Sequence, residues 1–121
     1  MISAILRSIA ALIVAAGLTV GAWAAQAAEF LVKGTTLDGV PYAGKVITDV
    51  AGDTVKVVWN IDGQRYVGNG VIYQDALAIY YTGNLTGVAL YKRDPNTGVL
   101  RGRWTSGNSN KIGTEEWTPV P

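Results

Sequence analysis

The chain has no cysteine and no histidine. The first absence excludes disulfides, thiol catalysis and cysteine zinc ligands. The second excludes imidazole metal ligands and every catalytic triad built on a histidine base. No metal site and no cofactor is expected. Charge of one sign is also lacking. Beyond residue 27, nine Lys and Arg face nine Asp and Glu, with no basic stripe of the kind nucleic-acid binding requires. Serine chemistry has little to work with, since beyond residue 27 only Ser106 and Ser109 occur, both in one expected loop.

A long hydrophobic run occurs in one place only. Of the 121 residues 49% are hydrophobic, and residues 1–27 carry an excess of them. Met1 to Ser8 include Arg7, Ile9 to Ala22 are almost wholly apolar, and Ala25-Gln26-Ala27 puts small residues where a signal peptidase reads them. This order is that of a secretory signal peptide, with cleavage expected after Ala27. The run is short of the ~20 residues that cross a bilayer, so membrane contact is expected only through the uncleaved segment. The chain therefore divides into 1–27, a signal helix outside the fold, and 28–121, a single domain. Export to the periplasm or full secretion follows. With no disulfides available, stability has to come from the core.

Residues 28–121 contain thirteen Gly, six Tyr and three Trp, and no stretch repeats its apolar residues at helical spacing. Short alternating runs are instead separated by turn residues every 8–12 positions. Strands are expected near 30–36, 42–49, 54–61, 64–72, 76–81, 86–93, 99–105 and 112–118. The fold class is all-β: a small antiparallel up-and-down meander closing into a barrel of about eight strands. Closure removes the edge strands that a small sheet would otherwise have to protect.

Turn positions fix an expected register. A two-residue turn at Asp62-Gly63 sets Trp59 against Tyr66 and Val57 against Gly68. One at Gln74-Asp75 sets Gly68 against Tyr81 and Gly70 against Ile79. One at Ala51-Gly52 sets Gly44 against Trp59 and Val46 against Val57. A five-residue turn after Arg93 sets Leu90 against Gly102 and Val88 against Trp104. Large residues thus face glycine repeatedly. Either the glycines let a small barrel close around a packed interior, the favoured reading, or they hollow out a ligand cavity walled by Trp59, Tyr66, Tyr81 and Trp104.

Hydrolysis by paired acids needs two carboxylates across a cleft. Asp49 and Asp53 flank a turn. Glu115 and Glu116 are adjacent on a strand and point to opposite faces. With Gly113 facing Trp104, Glu115 lies inside against Gly102 and Glu116 outside against Arg101. A one-residue slip of the last hairpin would swap them. An inward glutamate needs hydrogen bonds, with Tyr42 or Tyr66 as candidate donors. It serves either as a structural acceptor or as the polar floor of a binding pocket. On the outer face, Tyr91 beside Arg101, Ala89 beside Arg103 and the nearby Arg93 would form a small basic patch.

The segments Phe30 to Gly39, Tyr42-Ala43-Gly44, Val57-Val58-Trp59, Tyr66 to Gly70, Gly87 to Tyr91, Leu100 to Thr105 and Gly113 to Thr118 resemble a group of small exported bacterial β-proteins. Many of these carry the label "fibronectin-binding protein". The resemblance spans nearly all of residues 28–121. It implies one exported β-domain and adhesion to a host matrix protein, and it transfers no site residues. The Leu100-x-Gly102-x-Trp104-Thr105 stretch is also similar to a strand of avidin-like and lipocalin-like barrels.

The expected function is that of a non-enzymatic exported binding or structural module. Its partner would be a host or envelope protein, held by a patch around Tyr73, Tyr80 and Tyr91. The alternative is a small-ligand carrier with a lipocalin-like or avidin-like cavity, lined by Trp59, Tyr66, Tyr81 and Trp104 with Glu115 inside.

Overall fold

The computed structural model describes Trp23 and residues 27–121. The expected signal helix and the residues around the cleavage point upstream of Ala27, Trp23 apart, lie outside the described residues. Eight antiparallel strands follow one another in chain order: β1 (Ala28–Thr35), β2 (Pro41–Ala51), β3 (Thr54–Ile61), β4 (Gln64–Tyr73), β5 (Ala76–Thr82), β6 (Gly87–Arg93), β7 (Leu100–Ser106) and β8 (Gly113–Pro119). β8 pairs with β1, Val32 opposite Trp117 and Lys33 opposite Glu116, and closes the barrel. Every strand alternates a buried with an exposed face for most of its length, the period-two pattern that marks a one-sided sheet.

Two hairpins have the expected register. Asp62 (φ 51°) and Gly63 (φ 76°) make the left-handed pair of a type I′ two-residue turn. Trp59 accordingly faces Tyr66, and Val57 faces Gly68. Across the Gln74-Asp75 turn, Gly68 faces Tyr81 and Gly70 faces Ile79.

Two other hairpins differ from expectation. The β2–β3 turn is Gly52-Asp53, not Ala51-Gly52. Ala51 pairs with Thr54, whose hydroxyl donates to the Ala51 carbonyl at 2.8 Å. Gly44 therefore faces Ile61 and Val46 faces Trp59. This shift of two residues leaves every side chain on its expected face.

The β6–β7 hairpin is one residue off, which exchanges the faces. Asp94 belongs to the paired region, because its N–H donates to Val99 O at 2.8 Å. The turn proper is Pro95 to Gly98, closed by Gly98 N–H to Asp94 O at 2.8 Å. Ala89 then faces Trp104 and Tyr91 faces Gly102, both inside, while Val88 and Leu90 point to solvent. The expected outer patch of Tyr91 with Arg101 does not form: Arg101 faces Lys92 and Arg103 faces Leu90. Arg93 also points inward and is buried.

The interior has two halves. At the end carrying the β2–β3, β4–β5 and β6–β7 turns, Val32, Val46, Val55, Val57, Leu77 and Leu100 fill the axis with Trp117 above them, all at most 2% exposed. Trp23, upstream of the expected cleavage point, packs against this core. Its indole N–H donates to Gln74 O at 2.9 Å, and its ring lies 4.7 Å from the Arg93 guanidinium carbon. Arg93 in turn pairs with Asp75 at 3.1 Å. This end is closed. The opposite end, with the β1–β2, β3–β4, β5–β6 and β7–β8 turns, is aromatic and is not filled.

Candidate functional site

The open half encloses a cavity of about 200 Å³. Tyr42 of β2, Trp59 of β3, Tyr66 of β4, Tyr81 of β5, Tyr91 of β6 and Trp104 of β7 wall it. Thr36, Asp62, Gln64 and Leu85 stand at the mouth, and Glu115 is at the floor. A dry apolar cavity of about 150 Å³ can hold a benzene ring. The space here accordingly fits one ring with a short substituent.

The register explains why the rings leave room. Each of the six wall aromatics leans on a glycine of a neighbouring strand or turn. A Cβ placed on Gly113 would collide with the Trp104 indole, and one on Gly102 with the Tyr91 ring. At Gly34 it would meet the Tyr42 ring at 2.6 Å, at Gly83 Tyr66 at 2.6 Å, at Gly87 the Tyr81 hydroxyl at 2.7 Å and at Gly68 Trp59 at 3.1 Å. The missing Cβ atoms let the rings lie back against the barrel wall rather than project across the axis. Edge-to-face contacts tie the rings to one another: Tyr66 to Tyr81 and Tyr81 to Trp104 each at 6.4 Å, and Tyr42 to Trp104 at 6.5 Å between centroids.

Glu115 points inward as expected, and Glu116 outward, where it pairs with Arg101 at 2.8 Å. Four side chains donate to Glu115. Oε1 accepts from the Tyr91 hydroxyl at 2.7 Å, the Trp117 indole at 2.7 Å and the Trp59 indole at 3.1 Å. Oε2 accepts from the Tyr42 hydroxyl at 2.5 Å. An indole N–H can only donate, so this shell suits a carboxylate acceptor. Tyr42 thus fills the role open to either Tyr42 or Tyr66, while Tyr66 stands on the wall.

The field of this site is negative. Burial and then the Glu115 charge raise the Tyr42 hydroxyl far above the ordinary tyrosine range, and the same causes raise Tyr91. Tyr81 is pushed up to about 12, chiefly by burial. Its hydroxyl donates to Thr105 O at 3.0 Å. All three are therefore protonated donors at neutral pH.

All five expected site residues, Trp59, Tyr66, Tyr81, Trp104 and Glu115, meet at this one cavity. Tyr91 and Trp117 are additional, and both bond the carboxylate. Trp117 was legible: alternation along β8 puts it on the same face as Gly113 and Glu115. Tyr91 was hidden by the one-residue error in the turn before β7. The carboxylates Asp49 and Asp53 are exposed at the closed end, and no pocket residue neighbours them. No protein-family model matches the chain, and a search of curated proteins finds no match.

Proposed function

We propose that this protein is a non-enzymatic, exported small-ligand carrier that holds a compact, ring-sized molecule in the open half of its barrel. One observation carries the reading: an aromatic cavity of about 200 Å³ with a single carboxylate on its floor. Binding sites for small molecules have this composition, mostly apolar walls with a few polar groups to fix orientation. The sequence favours a filled barrel; one half is packed with aliphatic side chains and the other holds the cavity. The test is occupancy against blockage. Ala89 is buried on the wall beside Trp104, its partner on the next strand, so Ala89→Leu puts a branched side chain into the space. In a fragment screen read by indole N–H shifts, single-ring compounds should move the Trp59 and Trp104 signals and leave Ala89→Leu unchanged. Equal shifts in both proteins would sink the reading.

A second reading rests on the outer surface. Val71, Ala78 and Leu90 lie side by side across β4, β5 and β6, with Tyr80 beside Val88 in the next row. Val71, Leu90, Tyr80 and Val88 are each more than half exposed, and Tyr73 is 73% exposed at the strand end. A contiguous apolar stripe of this kind suits a protein partner, a host or envelope protein in keeping with the expected export. Tyr91, expected in this patch, is not part of it, being 1% exposed inside the barrel. Leu90→Glu separates the readings: it should abolish capture of an envelope partner and leave ligand shifts intact.

A further inference from the structure

The charge distribution of the cavity says more about its occupant. Two charged side chains line it, Glu115 at the floor and Asp62 in the turn at the mouth, and both are carboxylates. Among the described residues no lysine or arginine lines the space. Glu115 is 7% exposed and has no cationic partner among the salt bridges of the described residues. A buried charge without a counter-ion is costly even when neutral donors surround it.

The donors are also unevenly shared. Oε1 accepts three hydrogen bonds and Oε2 one. Each carboxylate oxygen offers about two lone-pair positions, so Oε1 is saturated and Oε2 has a position left. The rings around it present π faces and edges, and faces attract a cation.

Resting on the carrier reading, we propose that the ligand is a small organic cation, an amine carried on a single ring or a short hydrocarbon. Its ammonium seats at Glu115 Oε2 among the aromatic walls, and its hydrocarbon extends toward the mouth. The cation supplies the missing counter-charge, and the flat apolar walls take the remainder. Anions are excluded, because both charged groups on their path repel them.

The experiment is calorimetric titration of the purified protein with three probes of similar size: 2-phenylethylamine, 2-phenylethanol and phenylacetate. The amine is expected to bind at least tenfold more tightly than the alcohol, and the acid not at all. Its affinity should fall with added salt through the screening of Asp62. Glu115→Gln should bring amine and alcohol to within about threefold of each other, the remainder being due to Asp62. Asp62→Asn, at an exposed turn, should weaken the amine two- to threefold and leave the alcohol unchanged, which keeps the test sharp even if the Glu115 variant does not fold. Equal affinity for amine and alcohol in the unmodified protein overturns the cation and leaves the cavity reading standing. Binding of none of the three overturns both.

Discussion

The two halves of this barrel interior are made by the same eight strands, yet one is filled and the other hollow. In the closed half the inward residues are mainly Val, Leu and Ile, and Gly70 lies beneath Ile79 and Val55. In the open half, Gly34, Gly68, Gly83, Gly87, Gly102 and Gly113 lie beneath rings. The pairing of a large residue with a glycine is common to both. What differs is shape. A branched aliphatic chain has bulk in every direction and fills the axis. A ring set over a glycine is a plate against the wall, and the axis beside it stays empty. Glycine opposite bulk is therefore no sign of filling or hollowing until the bulky residue is identified as flat or branched.

Glu115 marks the boundary between the halves, and its removal should give the largest effect. Glu115→Leu leaves the Tyr91, Trp59, Trp117 and Tyr42 donors facing an apolar side chain. Each buried donor left without its acceptor costs roughly 1–3 kcal/mol, and the four losses together outweigh the relief of no longer burying a charge. Urea denaturation should show that loss. A change below about 1 kcal/mol would mean that the carboxylate does not hold the boundary together.

The next contrast compares one truncation in each half. Leu100 is fully buried, and Leu100→Ala opens a new void, at about 2–5 kcal/mol. Tyr66→Ala only enlarges a space already open, so its cost should be near half of that. Equal losses in the two urea midpoints would show that the open half is packed in solution.

How much of this was legible follows from turn chemistry. Asp62-Gly63 fixes its hairpin, because few other pairs accept two left-handed residues in succession. Counting outward from it places Trp59, Tyr66 and Gly68, and the Gln74-Asp75 turn adds Tyr81. The run Asp94 to Gly98 looks like five turn residues, but Asp94 has the backbone freedom to pair and does so. That single residue decides whether Tyr91 is inside or outside. No local feature of Asp94 distinguishes the two cases. The decisive signal is nonlocal: Leu90 inside would leave Tyr91, and with it one donor to Glu115, on the surface. The open cavity was not legible either, since it depends on ring tilt over six glycines rather than on which residues face inward.

Alkaline pH tests the open half as a whole. The Tyr81 hydroxyl titrates near 10 when unfolded and at about 12 in the barrel. Between those values the folded protein retains a proton that the unfolded chain releases, so stability is complete below pH 10 and falls as pH rises toward 12. Tyr42 and Tyr91, raised for the same reasons, act in the same direction. Thermal midpoints measured from pH 8 to 11.5 should be level and then decline. In Tyr81→Phe the decline should be shallower.

The closed end has its own test in Trp23. A chain beginning at Trp23 retains the ring over Arg93, and one beginning at Ala28 does not. A cation–π contact contributes about 0.5–1 kcal/mol when exposed and about 2 kcal/mol or more when removed from water, and Trp23 is half-buried. The shorter form should be less stable by about 1–2 kcal/mol in urea. The mass of the protein recovered from cells shows which N-terminus it carries. Identical stabilities would mean that the barrel closes this end without Trp23.

The smallest effect belongs to the residue next in sequence to the one with the largest. Glu116 differs from Glu115 by one step along β8, which turns it to the outer face and toward Arg101. Both members of that ion pair are substantially exposed, and exposed pairs contribute about 0–1 kcal/mol. Glu116→Gln should therefore leave the urea midpoint almost unmoved, and 0.5 M salt should erase what difference remains. If it instead cost as much as the Glu115 substitution, the assignment of faces along β8 would be wrong, and with it the floor of the cavity.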